Sequence, residues 1–571
     1  MIRFCVIMAS ALMAFCHVAA AQVARPLSDA DAQAYSRIFE VQETGQWLEA
    51  DRLIGQLSDK SLMGHVLYQR YMHPTAYRSS FAELKRWLDA YADHPGADAI
   101  YTLATKRRPS GAARPLRPTP RRWRTQDDEE RWLHPTVKQD YATAANLAEV
   151  RRIENYIRFL NKDDRPTQAL NYINAGRYRS QLSTAQYDRI RSWIAASYFY
   201  NEKTGKAKQI ATDVAQRNGD VAVLAYWIAG LTHWRDGDHA VAADFFARMA
   251  SVPYQEPELR SAAGFWAARG ALKTGQVDSV IPNLEIAAQY PYTFYGQLAL
   301  AQLGRKASIN WASPALTPSD WADLSRRNDR VRRAAALAQA GQYSKAQEEL
   351  RWAHGELSDT DDVALMAVAF DLNLWAAQVT MALASDAERP ENFQLQPGLY
   401  PVPDFVPNGG FTIDRALLFG LIRQESKFMT DARSRVGAVG LMQLMPRTAS
   451  YVSGDQSLQY RSGRSRLADP GYNMQLGQSY VESLLTRYTD GDLFDMALSY
   501  NWGPGNLRRF KASSGITDQL LLLESIPNPE ARDFVEHVMT NMWIYRDRFG
   551  QPAPSRDAAA AGQQPFYQRL D

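Results

Sequence analysis

The chain has 571 residues, with 65 Lys+Arg against 62 Asp+Glu, 46% hydrophobic and 22% charged residues, and two cysteines. So even a charge balance excludes a nucleic-acid binder that works by neutralising phosphates. A chain of this length would ordinarily form about three or four domains, unless much of it is a solenoid.

Residues 1–21 read as a secretory signal: Arg3 supplies a positive start, Phe4 to Phe15 a short apolar run, and Ala19-Ala20-Ala21 a small-residue cleavage site. The mature chain is then expected to begin near Gln22. Both cysteines, Cys5 and Cys16, leave with the signal, which removes any disulfide, thiolate catalyst or cysteine metal site. An exported chain without thiols suits an oxidising extracytoplasmic compartment. Cys16 as a lipid-attachment site is disfavoured, because Phe15 precedes it where processing wants Gly, Ala or Ser. No later stretch approaches the ~18 uncharged apolar residues of a membrane span, so a soluble product is predicted.

From about residue 28 to 384 apolar residues recur at helical spacing, in a text rich in Ala, Leu, Arg, Gln, Tyr and Trp. Glycine turns recur at Gly45, Gly176, Gly205, Gly237, Gly275 and Gly341. From Gly176 onward they lie about 30 to 40 residues apart with one interval near double, the irregular period of stacked helical hairpins. Residues 22–388 are therefore predicted to form an α-superhelical solenoid, and Ala335 to Ala346 resembles a tetratricopeptide-type repeat. Within it, Lys106 to Arg124 carries eight basic residues, four prolines and no acid, and is followed by Asp127, Asp128, Glu129 and Glu130. Prolines exclude a continuous helix there. The stretch reads either as a basic strap against an anionic polymer or, preferably, as a solvated excursion between helices.

Five prolines between Pro390 and Pro407, with Gly409-Gly410, mark 389–410 as an extended linker. A compact segment is predicted over 411–550, and a poorly ordered tail over 551–571.

In the compact segment, Thr412 or Asp414 caps a helix whose apolar positions are Leu417, Leu418, Leu421 and Ile422. Glu425 follows four residues after Leu421 and seven after Leu418, which places a carboxylate on the buried stripe near the helix end, with Arg423 and Gln424 turned away. Desolvation there favours the protonated form, as a general acid near neutral pH requires. Ser434, Gly437 and Gly440 then lead into Leu441-Met442-Gln443-Leu444-Met445-Pro446, where glycines permit close approach and Gln443 offers a donor and an acceptor. Asp469-Pro470, Asn473, Gly477 and Tyr480 follow, then Tyr500-Asn501-Trp502-Gly503-Pro504-Gly505, and last Ile526 to Arg532. Neutral amides, aromatic rings and one acid suit a sugar site. Taken singly, each has a plain structural reading: Met442 and Met445 as core fillers, Gly503-Pro504-Gly505 as a turn, Tyr480 as packing.

Together and in this order, these motifs closely resemble the catalytic domain of the soluble lytic murein transglycosylases, a family with a lysozyme-like fold. The match covers roughly 411–550 and includes Glu425-Ser426, Gly440 to Gln443, the Asp469-Pro470, Asn473 and Gly477-x-x-Tyr480 series, Tyr500 to Gly505, and the Ile526-Pro527 segment with Glu530 and Arg532. The upstream solenoid resembles the family's α-superhelical region more loosely. The fold class expected is mainly α, a helical-repeat superhelix followed by a lysozyme-like α-rich catalytic domain.

The resemblance implies Glu425 as the catalytic acid/base, Ser434 near the acetamido group of the reacting sugar, and Gln443, Met445, Tyr480, Tyr500, Asn501 and Glu530 as substrate-binding residues. Two departures stand out. Ser499 replaces a usual Ala, and Trp502 a usual small residue, neither touching the acid. The implied reaction cleaves the β-1,4 bond between N-acetylmuramic acid and N-acetylglucosamine and leaves a 1,6-anhydromuramic end. The competing readings are a lysozyme-type hydrolase on the same fold and a non-catalytic helical-repeat adaptor for the cell wall. Peptidoglycan glycan strands are the implied partner, and the sequence points to no particular cell-wall synthesis or secretion protein. No metal or cofactor is expected, because the eight histidines after the signal show no ligand spacing.

Overall fold

The computed structural model describes residues 23–120, 122, 124 and 132–571. The expected signal over 1–21 and the acidic run 127–130 lie outside the described residues, as do Arg121 and Trp123 of the basic strap. The described chain is built of helices, with isolated antiparallel bridges at Arg433–Val439, Val439–Leu444 and Asp492–Phe566. It forms two compact units, each from two stretches of chain: residues up to 123 with Pro314–Leu374, and Arg124–Ser313 with Trp375–Asp571. This division does not follow the expected order of a solenoid over 22–388 and then a separate catalytic segment. The reason is that the later solenoid helices pack with either the first helices or the last.

The first unit holds helices Asp29–Glu43, Trp47–Ile54, Met63–Tyr71, Phe81–Tyr91 and Ala97–Arg107, together with Pro318–Arg327, Asp329–Gln339, Tyr343–Glu356 and Asp362–Asp371. The Phe81–Tyr91 helix starts at a reciprocal Ser80–Glu83 capping box and buries Leu84, Trp87 and Leu88 against Ile100 and Ala104. The basic stretch leaves helix after Arg107, as its prolines require. Residues 108–120 are non-helical, with a turn at Ser110-Gly111 and with Arg108, Arg114 and Arg117 exposed, and are pinned by a hydrogen bond from the Thr119 amide to the Ala92 carbonyl at 2.9 Å.

The second unit begins with stacked hairpins, among them Leu224–Arg235 with His239–Ser251 and then Pro257–Thr274. Gly237, Gly275, Gly341 and Gly45 do turn the chain with positive φ, whereas Gly176 and Gly205 sit at helix starts. Gly230 faces Phe246 so closely that any Cβ would overlap the ring at 2.4 Å, which is how a helix bearing Trp227 and Trp234 packs against its neighbour. The Pro-rich stretch is not an open linker. Pro390–Leu399 is 3₁₀-helical, and Leu395, Leu399 and Tyr400 are buried, because the prolines stiffen a segment whose apolar residues find a core.

The lysozyme-like part comprises helices Arg415–Ser426, Pro446–Ser453, Pro470–Arg487, Leu493–Trp502, Pro504–Ser514, Gln519–Ser525 and Pro529–Arg548. It docks on the preceding hairpins of the same unit. Asp518 accepts from Trp234 Nε1 at 3.2 Å and pairs with Arg269 at 2.9 Å, Tyr295 hydrogen-bonds Glu524, and the Arg532 guanidinium lies 4.0 Å from the Tyr200 ring centre. The tail expected to be loose is ordered and packed. Pro554–Ala560 forms a helix against Phe294–Gln302, with Gln302 Nε2 donating to the Ala560 carbonyl at 2.6 Å and Trp543 Nε1 donating to Ser555 Oγ at 3.0 Å. Its proline- and alanine-rich text hid this, because the helix it packs against, with Gln302, lies 258 residues upstream of its partner.

Candidate active site

Asp414 caps the Arg415–Ser426 helix through its side chain, accepting from the Ala416 amide at 2.9 Å. Leu417, Leu418, Leu421 and Ile422 are fully buried, and the helix packs along Pro529–Arg548. Gly420 makes that approach possible, since a Cβ there would stand 3.0 Å from the Met542 backbone nitrogen. Arg423, turned off the buried stripe, locks the helix from its other side. It donates to the Leu399 carbonyl at 2.6 Å and to Asn541 Oδ1 at 2.7 Å, and lies over the Tyr400 ring.

Glu425 stands half-buried in the last turn. No described residue hydrogen-bonds or ion-pairs with its carboxylate. Burial, and secondarily the negative charge of Glu530, push the Glu425 carboxyl up to about 8. The backbone directly after it is unusual: Lys427 and Phe428 both adopt left-handed conformations, with φ of 49° and 64°. Consecutive non-glycine residues in that region are strained and persist where packing holds them, here through the buried Phe428 ring against Phe419.

The glycine motif has a direct physical meaning. Gly440, at φ +82°, lies where a Cβ would meet Asn473 Nδ2 and the Leu467 carbonyl at 2.3 Å, and one on Gly477 would meet Met442 Sδ at 2.0 Å. The fully buried Asn473 fills that space. Its Oδ1 accepts from the Met442 amide at 2.8 Å, and its Nδ2 donates to the carbonyls of Val439 at 3.0 Å and Leu467 at 2.9 Å. This single amide holds the loop that carries Gln443 and Met445. Gln443, itself left-handed at φ 43°, spends its amide hydrogens on the carbonyls of Ala432 and Gly440, while Met445 is 40% exposed. Ser434 belongs to the adjoining loop, where its Oγ accepts from the Ala438 amide at 2.9 Å.

Tyr500 ties the opposite wall to this loop. Its hydroxyl donates to the Met442 carbonyl at 2.7 Å, and its ring stacks on Phe534 and sits 5.4 Å from Tyr480. Burial, then the nearby Glu425, hold its phenol well above the ordinary range. Glu530 is exposed in the first turn of Pro529–Arg548. Glu425, Tyr500, Tyr480, Gln443, Met445 and Glu530 thus belong to one constellation. Asn501 ends the Tyr500 helix half-buried, and no described contact joins it to the carboxylate. Of the two departures, Ser499 is fully buried, and Trp502 packs edge-on against Phe510 at 6.2 Å. Two functional contributions were not picked out as site residues. Asn473 carried a signal in its Asn-x-x-x-Gly spacing, and the bracing of Asp414 by the tail carried none.

The Transglycosylase SLT domain family model matches residues 407–522. The soluble lytic murein transglycosylase of Salmonella typhimurium is 26% identical over 387 residues, which cover 65% of this chain and 56% of that protein. Residues 407–522 thus carry a Transglycosylase SLT domain, and the chain is similar to the soluble lytic murein transglycosylases. The soluble lytic murein transglycosylase of Escherichia coli K12 is 24% identical over 388 residues, which cover 67% of this chain and 58% of that protein. The chain spans a little over half the length of these curated relatives. In fold it is similar to the 70-kDa soluble lytic transglycosylase of Escherichia coli, with a TM-score of 0.56 at 17% identity over 95% of this chain and all of the other. A complex of the 70-kDa enzyme with bulgecin A superposes with a TM-score of 0.57 at 18% identity, again over 95% and 100% of the two chains.

Proposed function

We propose that this chain is a peptidoglycan lytic transglycosylase acting in the periplasm, with Glu425 as its single acid/base. The observation that carries this reading is a half-buried carboxyl that holds its proton up to about pH 8, with no described cationic partner, beside the amide- and aromatic-bearing loops. At neutral pH Glu425 donates that proton to the bridging oxygen between N-acetylmuramic acid and N-acetylglucosamine. The glycosidic C–O bond breaks, and the acetamido carbonyl of the muramic residue stabilises the oxocarbenium or closes an oxazolinium ring. Glu425, now a carboxylate, takes the proton from the muramic C6 hydroxyl as that oxygen attacks C1. The product is a 1,6-anhydro end, the enzyme recovers its proton, and no water is consumed. Attack by a hydroxyl of the same sugar supplies much of the rate through proximity.

Gln443, Met445, Tyr480 and Tyr500 would contact the glycan, with Ser434 near the acetamido group and Asn501 and Glu530 further along the cleft. Among the described residues no helix is long and apolar enough to cross a membrane, which fits an enzyme released into the periplasm.

Digestion of purified sacculi with product mass spectrometry tests the reading. Anhydro ends, lighter by one water than reducing ends, are expected, and Glu425→Gln should lower turnover about 10²- to 10⁴-fold, the range for loss of a general acid. The second reading, a lysozyme-type hydrolase, draws on the Glu530 charge close to Glu425, since a second carboxylate is what activates water in ordinary glycosidases. Reducing ends alone would select it. No digestion by the wild-type chain would leave a cell-wall adaptor.

A further inference from the structure

The last residues of the chain do more than fill space. Tyr567 is held at both ends: its backbone amide donates to the Gly491 carbonyl at 2.8 Å, and its hydroxyl accepts from the Asp414 amide at 2.9 Å. Gly491 lies just before the Leu493–Trp502 helix that carries Tyr500, and Asp414 is the cap of the helix that carries Glu425. Neighbouring residues repeat the pattern. On the first side the Leu493 amide donates to the Pro565 carbonyl at 3.1 Å, beside the Asp492–Phe566 bridge. On the second, the Leu570 amide donates to Asp414 Oδ2 at 3.1 Å, Arg569 donates to the carbonyls of Phe411 and Thr412, and Asp571 pairs with Arg415 at 2.5 Å.

We propose that residues 565–571 form a clamp that sets the Glu425 helix against the Tyr500 helix, with Tyr567 as its two-ended pin and a positioning residue for the reaction. This rests on the proposed role of Glu425. Asp414 is fully buried, so its carboxylate depends on protein donors: the Ala416 and Leu570 amides and, at 3.4 Å, Arg546, which itself donates to the Gln568 carbonyl of the clamp. Taking away one donor leaves a buried acceptor short, with no water to replace it. Eleven residues of helix, about 16 Å at 1.5 Å per residue, then carry any tilt at Asp414 to Glu425. Small displacements of a reacting group weigh heavily on turnover and little on binding of the rest of the substrate.

The test uses the full chain with two separate substitutions. Tyr567→Phe removes the acceptor for the Asp414 amide, and Leu570→Pro removes a donor to its carboxylate. Each is expected to fold and to lower kcat on soluble murein glycan about fivefold, the factor equivalent to one neutral hydrogen bond, with KM within twofold. The alkaline limb of the kcat profile should also move to lower pH, because a loosened helix end admits water to Glu425. Unchanged kcat and limb in both variants would overturn the clamp. So would a fall in kcat with an unmoved limb that merely tracks the folded fraction. If one variant does not fold, the other decides. Glu425→Gln, assayed alongside, separates the two ideas: full turnover there would overturn the acid assignment and the positioning role with it, whereas a dead Glu425→Gln beside an unaffected Tyr567→Phe overturns the clamp alone.

Discussion

Each compact unit withdraws a glutamate from water, and the two are treated in opposite ways. Glu349, in the first unit, is fully buried among His65 Nε2 at 2.9 Å, Arg330 Nη1 at 3.0 Å and Arg333 Nε at 3.0 Å, and these partners hold its carboxyl far below the usual range despite burial. Glu425, in the second, has a neighbouring carboxylate and no described cation, and is pushed up to about 8. Burial is common to both. The partner set decides whether a buried glutamate becomes a structural anion or a proton donor.

This contrast is open to direct attack, beginning with the largest effect. Glu425→Gln should nearly abolish turnover, yet leave the fold as stable or more so. The sign follows from linkage. A carboxyl with a raised folded pKa binds its proton more tightly when folded, so its contribution falls as pH rises from the unfolded value toward about 8. The amide should therefore stabilise increasingly over that window, read by denaturant melts across pH. Glu349→Gln is expected to do the reverse, costing about 3–5 kcal/mol because Arg330 and Arg333 lose their buried anion and keep only the more exposed Glu356 and Asp93. A smaller loss than 1 kcal/mol in urea melts would show that the first unit does not depend on the pair.

A third effect is graded with pH. In the first unit His65 Nε2 faces Glu349, His65 Nδ1 faces His94 Nε2 at 2.9 Å, and His94 Nδ1 accepts from the Gly96 amide at 2.8 Å. Every ring nitrogen is matched when both rings are neutral with hydrogen on Nε2, a tautomer assigned from the partners. A second proton on either ring would confront a donor. Burial pushes both histidines below their ordinary value, His94 further than His65. Folded pKa values below the unfolded one mean that stability present above about pH 6.5 is lost as pH falls below it, by up to about 1.4 kcal/mol per pH unit for each histidine. Melts of the full chain between pH 7 and 5 should show this slope, and His94→Gln should flatten it. The smallest effect concerns the second unit. Glu530→Gln removes the charge that raises Glu425, so the alkaline limb of turnover should move down by less than one pH unit; an upward move would contradict the assigned electrostatics.

Particular residues show what could be read in advance. The stripe Leu417, Leu418, Leu421 and Ile422 placed Glu425 on a buried face, since helical periodicity is a local property. Gly440 announced close approach, though not that Asn473 would fill it. The Pro-rich stretch and the tail were misread for the opposite reason. Their composition is that of linkers, and only distant partners such as Arg423 for Leu399 and Asp414 for Leu570 give them structure.

By itself the sequence determined the helical class, the ordered motif set and the place of Glu425 on a buried helix stripe, because spacing along a helix and the absence of a Cβ act within a few residues of themselves. Tertiary structure alone decided that Glu425 lacks a described cation while Glu349 has three partners, and that the chain's last residues hold the start of the candidate catalytic helix. The physical reason is that a buried charge is set by whichever groups the fold brings within a few ångströms, and those groups sit on other elements: His65 reaches Glu349 across 284 residues, and Arg330 and Arg333 reach it from the preceding helix.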